Sequence, residues 1–213
     1  MNYGNIRQEA LSNLDSYWVR MGIIWIIISF SSWALNYAIS FQTRYSFLAC
    51  FIIGGPFVLG ICRILMKIEK REHFEIKEIL DGFREFSRSV TAFLLICFYV
   101  LVWSLLLVVP GIIELLSLSM TFFILAEDPE ITPRAAMQKS RELMQGYKKE
   151  LFYLTLSFIG WILIAFIICG LGFLLLNSYM GMAFLIFYRR ISEQEKAREQ
   201  NRGLKRSIVL EGW

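Results

Sequence analysis

The stretch VTAFLLICFYVLVWSLLLVVPGIIELLSLSMTFFILA, residues 90–126, decides the fold class of this chain, because it holds a single charged residue, Glu114. An apolar helix needs about 20 residues to cross a hydrocarbon layer about 30 Å thick. Pro110 and Gly111 divide the stretch, which therefore predicts two membrane spans, 90–109 and 112–126, joined by a tight turn. At a rise of 1.5 Å per residue the second span reaches only about 22 Å, so a re-entrant half-helix is the alternative.

Two further pairs of apolar runs flank this stretch, at 21–41 with 46–66 and at 151–169 with 171–188. The chain has 213 residues, of which 56% are hydrophobic, and its mean hydropathy is +0.53. This composition is typical of membrane proteins. We predict an all-α membrane helix bundle with six transmembrane helices arranged as three hairpins. Residues 1–191 would form one integral membrane domain, and 192–213 a charged cytoplasmic tail.

The distribution of Lys and Arg predicts the orientation of the bundle. Twenty basic residues lie before the first hairpin, between the hairpins and in the tail, whereas the three opposite turns hold only Arg44. Basic residues near span ends favour the cytoplasmic side. Both termini are therefore predicted to be cytoplasmic.

Each hairpin follows a stretch with an amphipathic helical pattern. In the first stretch Ile6, Ala10 and Leu14 recur every four residues, and in the third Ala136 and Ser140 begin an apolar stripe. The stretch before the second hairpin, 76–90, has a similar pattern. We predict three cytoplasmic amphipathic helices that lie in the lipid interface.

The motif DPEITP, residues 128–133, leads into the third of these helices. Thr132 is a typical N-cap and Pro133 suits the first helical position, so structural capping is favoured over ligand binding. The motif and the helix after it form a candidate cytoplasmic interaction segment. Its members are Asp128, Glu130, Thr132, Arg134, Lys139, Arg141, Lys148 and Lys149.

Four polar residues in or near the spans are candidate functional residues: Asn36, Arg63, Glu114 and Asn177. Arg63 is close enough to the cytoplasmic end of its span to snorkel to the headgroups. Glu114 would cap the fourth helix or face the interface, with a proton or cation site as the alternative. Interhelical hydrogen bonds explain the two asparagines better than substrate contact does.

The sequence offers no support for catalysis, a metal site or a cofactor. It holds one histidine, His73, and its four cysteines lie in apolar runs without a CxxC pair. No nucleophile with a base, paired carboxylates or phosphate-binding glycine loop is recognisable. We predict a non-enzymatic protein without cofactors that does not bind nucleic acid.

Residues 117–161, SLSMTFFILAEDPEITPRAAMQKSRELMQGYKKELFYLTLSFIGW, resemble a bacterial integral membrane family known as domain of unknown function 975. Residues 170–191 are similar to its C-terminal hairpin. The resemblance implies a multi-span protein of the bacterial cytoplasmic membrane. It implies no activity and no functional residues.

Because the outer turns are short, the interaction-capable surface is predicted to be cytoplasmic. The leading hypothesis is a non-catalytic membrane protein whose partners are membrane lipids, another membrane protein or a second copy of itself. Basic residues near a membrane surface contribute about 1 kcal/mol each toward anionic lipid, although here they could serve orientation alone. A transporter or transporter accessory subunit is the first alternative. An immunity or envelope-stress protein is the second.

Overall fold

The computed structural model describes residues 3–40, 46–162 and 171–211, and within these ranges the chain is helical without strands. This confirms the predicted all-α class. The helices are α1 (Tyr3–Leu14), α2 (Trp18–Ser40), α3 (Ser46–Glu69), a 3-10 helix (Ile76–Leu80), α4 (Asp81–Arg84), α5 (Phe86–Leu106), α6 (Val108–Leu118), α7 (Thr121–Glu127), α8 (Pro133–Leu143), α9 (Lys148–Leu156) and α10 (Leu171–Glu211).

Two helical segments of the described ranges are long and apolar enough to cross a membrane. They are α5 and the run Val108–Glu127, which holds α6 and α7. A shorter apolar stretch, Trp18–Ser31, lies in α2. The predicted spans 46–66 and 171–188 fall inside α3 and α10, whereas 151–169 extends into residues outside the described ranges. Six crossings therefore remain a prediction.

The turn of the middle hairpin lies at Leu107 and not at the predicted Pro110 and Gly111. Leu107 has extended backbone angles, φ −161° and ψ 145°, between the end of α5 and the start of α6. Pro110 is the third residue of α6, in the first turn, where a missing N–H group leaves no helical hydrogen bond unmade. The predicted boundaries 90–109 and 112–126 are corrected accordingly.

The middle amphipathic stretch is not one helix, because a 3-10 helix is followed there by the single turn of α4. Two glycines allow this segment to cross α3 at close range. A Cβ on Gly82 would collide with the carbonyl oxygen of Pro56, and one on Gly60 with that of Ile79. Of the three predicted amphipathic helices, α1 and α8 are thus single continuous helices, and the middle one is divided.

The apolar faces of α1 and α8 are covered by protein, whereas the sequence analysis placed them in the lipid interface. Ile6, Ala10 and Leu14 of α1 are fully buried, and α1 packs against α10. Ala136 and Ser140 of α8 are also fully buried, against the hairpin of α5 and α6. An amphipathic pattern indicates that one face of a helix is buried, but it does not distinguish lipid from protein. Here the face is buried in the protein core.

The buried core lies at one end of the bundle. In the run Val108–Glu127 the C-terminal half is buried from Met120 to Leu125, whereas Val108, Val109 and Ile112 near the turn are exposed. In α5 only 11% of the most apolar 18-residue window is buried. The hairpin of α5 and α6 therefore projects from the packed body with an apolar surface.

The last helix, α10, passes through the predicted boundary at residue 192 between the membrane domain and the tail, and that boundary remains a prediction. α10 continues as one helix of 41 residues, about 61 Å long, from Leu171 to Glu211. Tyr147 contacts the part of α10 beyond residue 192. The Tyr147 hydroxyl donates to the Gln194 side-chain oxygen at 2.8 Å, and the Arg198 guanidinium lies above the Tyr147 ring.

Candidate functional site

The helix ends around the core carry a layer of linked ion pairs, which we call the charged end. Its centre is Arg189 of α10, whose guanidinium donates to Glu69 of α3 at 2.9 Å and to Glu127 of α7 at 2.9 Å. The neighbouring Tyr188 hydroxyl donates to the same Glu127. A second contact on α10 joins Arg190 to Glu9 of α1, 2.5 Å apart. These contacts connect helices that are far apart in sequence.

Arg63 belongs to the charged end, where its side chain has protein partners. Its guanidinium pairs with the Glu85 carboxylate and donates to the Asp81 carbonyl at 3.2 Å. Arg88 shares Glu85 and donates to the carbonyls of Asp128 and Ile131. Arg63 thus connects α3 to the start of α5.

The pKa of Glu85 reflects two opposing influences. Burial raises the pKa, but hydrogen bonds from Arg63 and Arg88 and their positive charges outweigh it. The pKa of this carboxyl is therefore below its ordinary value, and Glu85 stays ionised between the two guanidinium groups.

Glu114 is not a first-turn cap. It is the seventh residue of α6, and its carboxylate accepts two hydrogen bonds from Arg141 of α8, from Nε at 3.0 Å and from Nη2 at 2.5 Å. The Arg141 guanidinium also lies over the Tyr99 ring, 4.8 Å from its centroid. Glu114 and Arg141, predicted in two different sets of candidates, are brought together.

A second polar contact fixes α8 beside the Glu114–Arg141 pair. Ser140 immediately precedes Arg141 in α8 and is buried, and its hydroxyl donates to the Ser117 carbonyl at 2.8 Å. Ser117 and Tyr99 were not singled out from the sequence, and Ser140 was predicted only as part of the apolar stripe of the helix. Together these contacts dock α8 against the projecting hairpin.

The motif at 128–133 has the structural role that the sequence favours. The Asp128 carboxylate accepts from the Glu130 N–H at 3.0 Å, and the Thr132 hydroxyl accepts from the Ala135 N–H at 3.3 Å. Pro133 is the first residue of α8, so the predicted N-cap is confirmed. Glu130 is exposed.

The four lysines and arginines of the interaction segment other than Arg141 remain on the surface. Arg134, Lys139 and Lys149 are exposed, and Lys148 is half-buried. Lys139 contributes to a cavity of about 300 Å³ that also touches Glu127, Asp128 and Tyr188. Arg63 and Arg141, by contrast, have carboxylate partners.

A larger cavity of about 670 Å³ opens at the charged end. Both signs of charge line it, since it is bounded by Arg63, Met66, Lys67, Glu69, Lys70, Glu72, Ala126, Glu127, Arg189 and Glu193. In the described ranges no group of three or more His, Cys, Asp or Glu side chains could hold a metal ion.

The two asparagines lie apart from these contacts. Asn177 is half-buried on α10, next to Ser178, whose hydroxyl accepts from the Trp25 indole N–H at 2.9 Å. This Trp25–Ser178 contact joins α2 to α10. The side chain of Asn36 is outside the described part of the structure.

Residues 105–195 match a family model described as Protein of unknown function (DUF975), which confirms the resemblance found in the sequence. The matched segment includes Glu114, Arg141, Glu127 and Arg189. No curated protein and no solved structure matches the chain.

Proposed function

We propose that this chain, which carries the DUF975 segment, is a multi-pass protein of the bacterial cytoplasmic membrane. Its three hairpins enter the bilayer from the cytoplasmic side, and in the simplest arrangement they give six crossings. Both termini and the charged end then lie in the cytoplasm. The protein acts there without a catalytic step, by binding membrane lipids or a membrane-protein partner, including a second copy of itself.

The exposure of α5 is the observation that carries membrane insertion. Only 11% of its most apolar window is buried. A core helix of a water-soluble protein buries this surface, and a signal sequence lies near the N-terminus, whereas α5 begins at Phe86. Apolar surface left in water costs about 25 cal/mol per Å². Hydrocarbon is the surrounding that suits this helix.

The proposed interaction with lipid is supported by the exposed cations that have no carboxylate partner in the described part of the structure. Arg63, Arg141 and Arg189 each pair with a carboxylate. The exposed cations of the interaction segment are Arg134, Lys139 and Lys149. Near a membrane surface each would contribute about 1 kcal/mol toward anionic headgroups.

The Glu114–Arg141 pair favours this function over transport. A carboxylate that binds a proton or cation along a pathway must be available to it, whereas the Glu114 side chain is 15% exposed and paired with Arg141. The pair therefore gives no support to the proton or cation site that the transport alternative places at Glu114.

The experiment is lipid analysis of protein extracted from membranes in polymer discs that retain the surrounding lipid. The test variant replaces Arg134, Lys139 and Lys149 with glutamine. The control replaces two exposed neutral residues with alanine, Gln138 in α8 and Gln145 in the turn between α8 and α9. The wild type and the control should be enriched in anionic lipid over the bulk membrane. The test variant should lose about tenfold or more of its affinity for anionic lipid. Bulk lipid composition around all three proteins would contradict lipid binding.

A further inference from the structure

The position of α8 marks where the polar surroundings end along the middle hairpin. Its Ser140 hydroxyl bonds the Ser117 carbonyl at 2.8 Å, so the two backbones are adjacent there. The opposite face of α8 carries exposed Gln138, Lys139 and Glu142. Because such side chains need water or headgroups, Ser117 lies close to the polar boundary.

Only a short part of the hairpin extends past this boundary. From Ser117 to the turn at Leu107 there are ten residues, which span about 15 Å in a helix. The hydrocarbon layer is about 30 Å thick. The hairpin therefore reaches about half of the way across.

Burial and exposure along α6 and α7 agree with this depth. On the body side of Ser117 the chain is enclosed by protein, with Met120 and Leu125 fully buried. On the other side Val108 and Val109 are 70% and 67% exposed. In α2, by contrast, exposed apolar side chains run from Val19 to Tyr37, about 27 Å, which is close to a full crossing.

The turn itself is suited to hydrocarbon and not to an outer aqueous surface. The residues around it, LLLVVPG at 105–111, are all apolar or glycine, whereas the sequence that separates the first two predicted spans contains Gln42, Thr43 and Arg44. The Leu107 N–H donates to the Trp103 carbonyl at 3.1 Å, and the Leu107 carbonyl accepts from Gly111 at 3.3 Å. Backbone groups at membrane depth must be paired in this way.

We propose that α5 and α6 form a re-entrant hairpin that dips into the cytoplasmic leaflet, with Leu107 near the bilayer mid-plane and lipid acyl chains as its partner. The proposal rests on the membrane insertion proposed above and reduces the number of crossings from six to four. The distribution of basic residues is the same in both arrangements, because both ends of the hairpin stay in the cytoplasm. Charge alone therefore does not separate them.

The test uses Leu107→Cys in a chain whose native cysteines are replaced by alanine. Tyr37→Cys at the far end of α2 and Lys139→Cys on α8 are the controls. Each variant is treated with a membrane-impermeant maleimide in intact spheroplasts and in inside-out vesicles, with labelling after denaturation as the reference. A nitroxide on each cysteine then reports depth in proteoliposomes through its accessibility to oxygen and to a polar relaxation agent.

The Leu107→Cys site should lose labelling from both sides, and its nitroxide should lie at the bilayer centre. Protein burial would not explain this loss, since Leu107 is 67% exposed. Tyr37→Cys should report the outer interface, and Lys139→Cys should label only in inside-out vesicles. Labelling of Leu107→Cys from outside, or a nitroxide at outer headgroup depth, would overturn the re-entrant hairpin alone. Labelling of Lys139→Cys from outside would overturn the proposed orientation instead.

Discussion

Removing the Glu114–Arg141 pair should weaken the docking of α8 by a measurable amount. At an effective dielectric constant of 20, unit charges 4 Å apart attract by about 4 kcal/mol, and in water by about 1 kcal/mol. The Arg141 side chain is 38% exposed and that of Glu114 is 15% exposed, so solvent screens the pair in part. We expect a coupling energy of about 1 to 2 kcal/mol.

A double-mutant cycle measures this coupling. Glu114→Gln, Arg141→Gln and the double variant are unfolded by denaturant in detergent micelles, and the free energy of unfolding is followed by circular dichroism. The control cycle uses Glu195 and Arg198, an ion pair three residues apart on α10. Surface pairs of that kind contribute about 0.3 to 0.5 kcal/mol.

The result that refutes the reasoning is a coupling at the Glu114–Arg141 pair no larger than that of the control. The pair would then be solvated and would not fix α8 against the hairpin. A coupling of about 1 to 2 kcal/mol together with loss of helix–hairpin contact in both single variants supports the described docking.

Three further outcomes follow from local contacts. Gly82→Ala should destabilise the protein by about 1 to 3 kcal/mol, because the added Cβ would collide with the Pro56 carbonyl oxygen. The control is Gly22→Ala, whose added Cβ would have no atom within 4 Å and which should be neutral or stabilising. Thermal unfolding compares the two variants. Thr132→Ala should cost about 1 kcal/mol in the free energy of unfolding and increase amide exchange in the first turn of α8, and unchanged exchange would argue against the cap. Because the pKa of Glu85 is lowered in the folded state, its stabilising contribution is present above the ordinary value of 4.5 and is lost as pH falls through the folded pKa. In Glu85→Gln this loss should be absent from the pH profile of unfolding, and an identical profile would contradict it.

The helical class and the capping motif were predictable because they depend on local sequence. Thr132 and Pro133 are adjacent, and an N-cap needs only the N–H groups of the next turn. The apolar length of α5 likewise follows from composition. Such features do not depend on which other parts of the chain lie nearby.

The misplaced turn has a local cause with two solutions. A proline ends a helix when it lies in the interior but is tolerated in the first turn of the next helix. Pro110 takes the second role, so the chain turns three residues earlier, at Leu107. The sequence pattern is compatible with both positions of the turn, and in the structure α6 begins before the proline.

The ion-pair partners were not predictable, because they come from distant segments. Arg141 lies 27 residues from Glu114, and Arg189 lies 120 residues from Glu69. Read alone, Glu114 suggested a capping or interfacial role, and Arg141 suggested a place in the cytoplasmic interaction segment. The same limit explains why the buried faces of α1 and α8 were assigned to lipid, since an amphipathic pattern fits a protein core equally well.

The central claim is that the apolar surface of α5 and its neighbours is covered by lipid. Alkaline carbonate extraction of membranes that contain the full-length chain tests it most directly, with a peripheral and an integral marker protein in the same sample. The account predicts that the chain stays in the membrane pellet with the integral marker. Release into the supernatant with the peripheral marker would contradict membrane insertion.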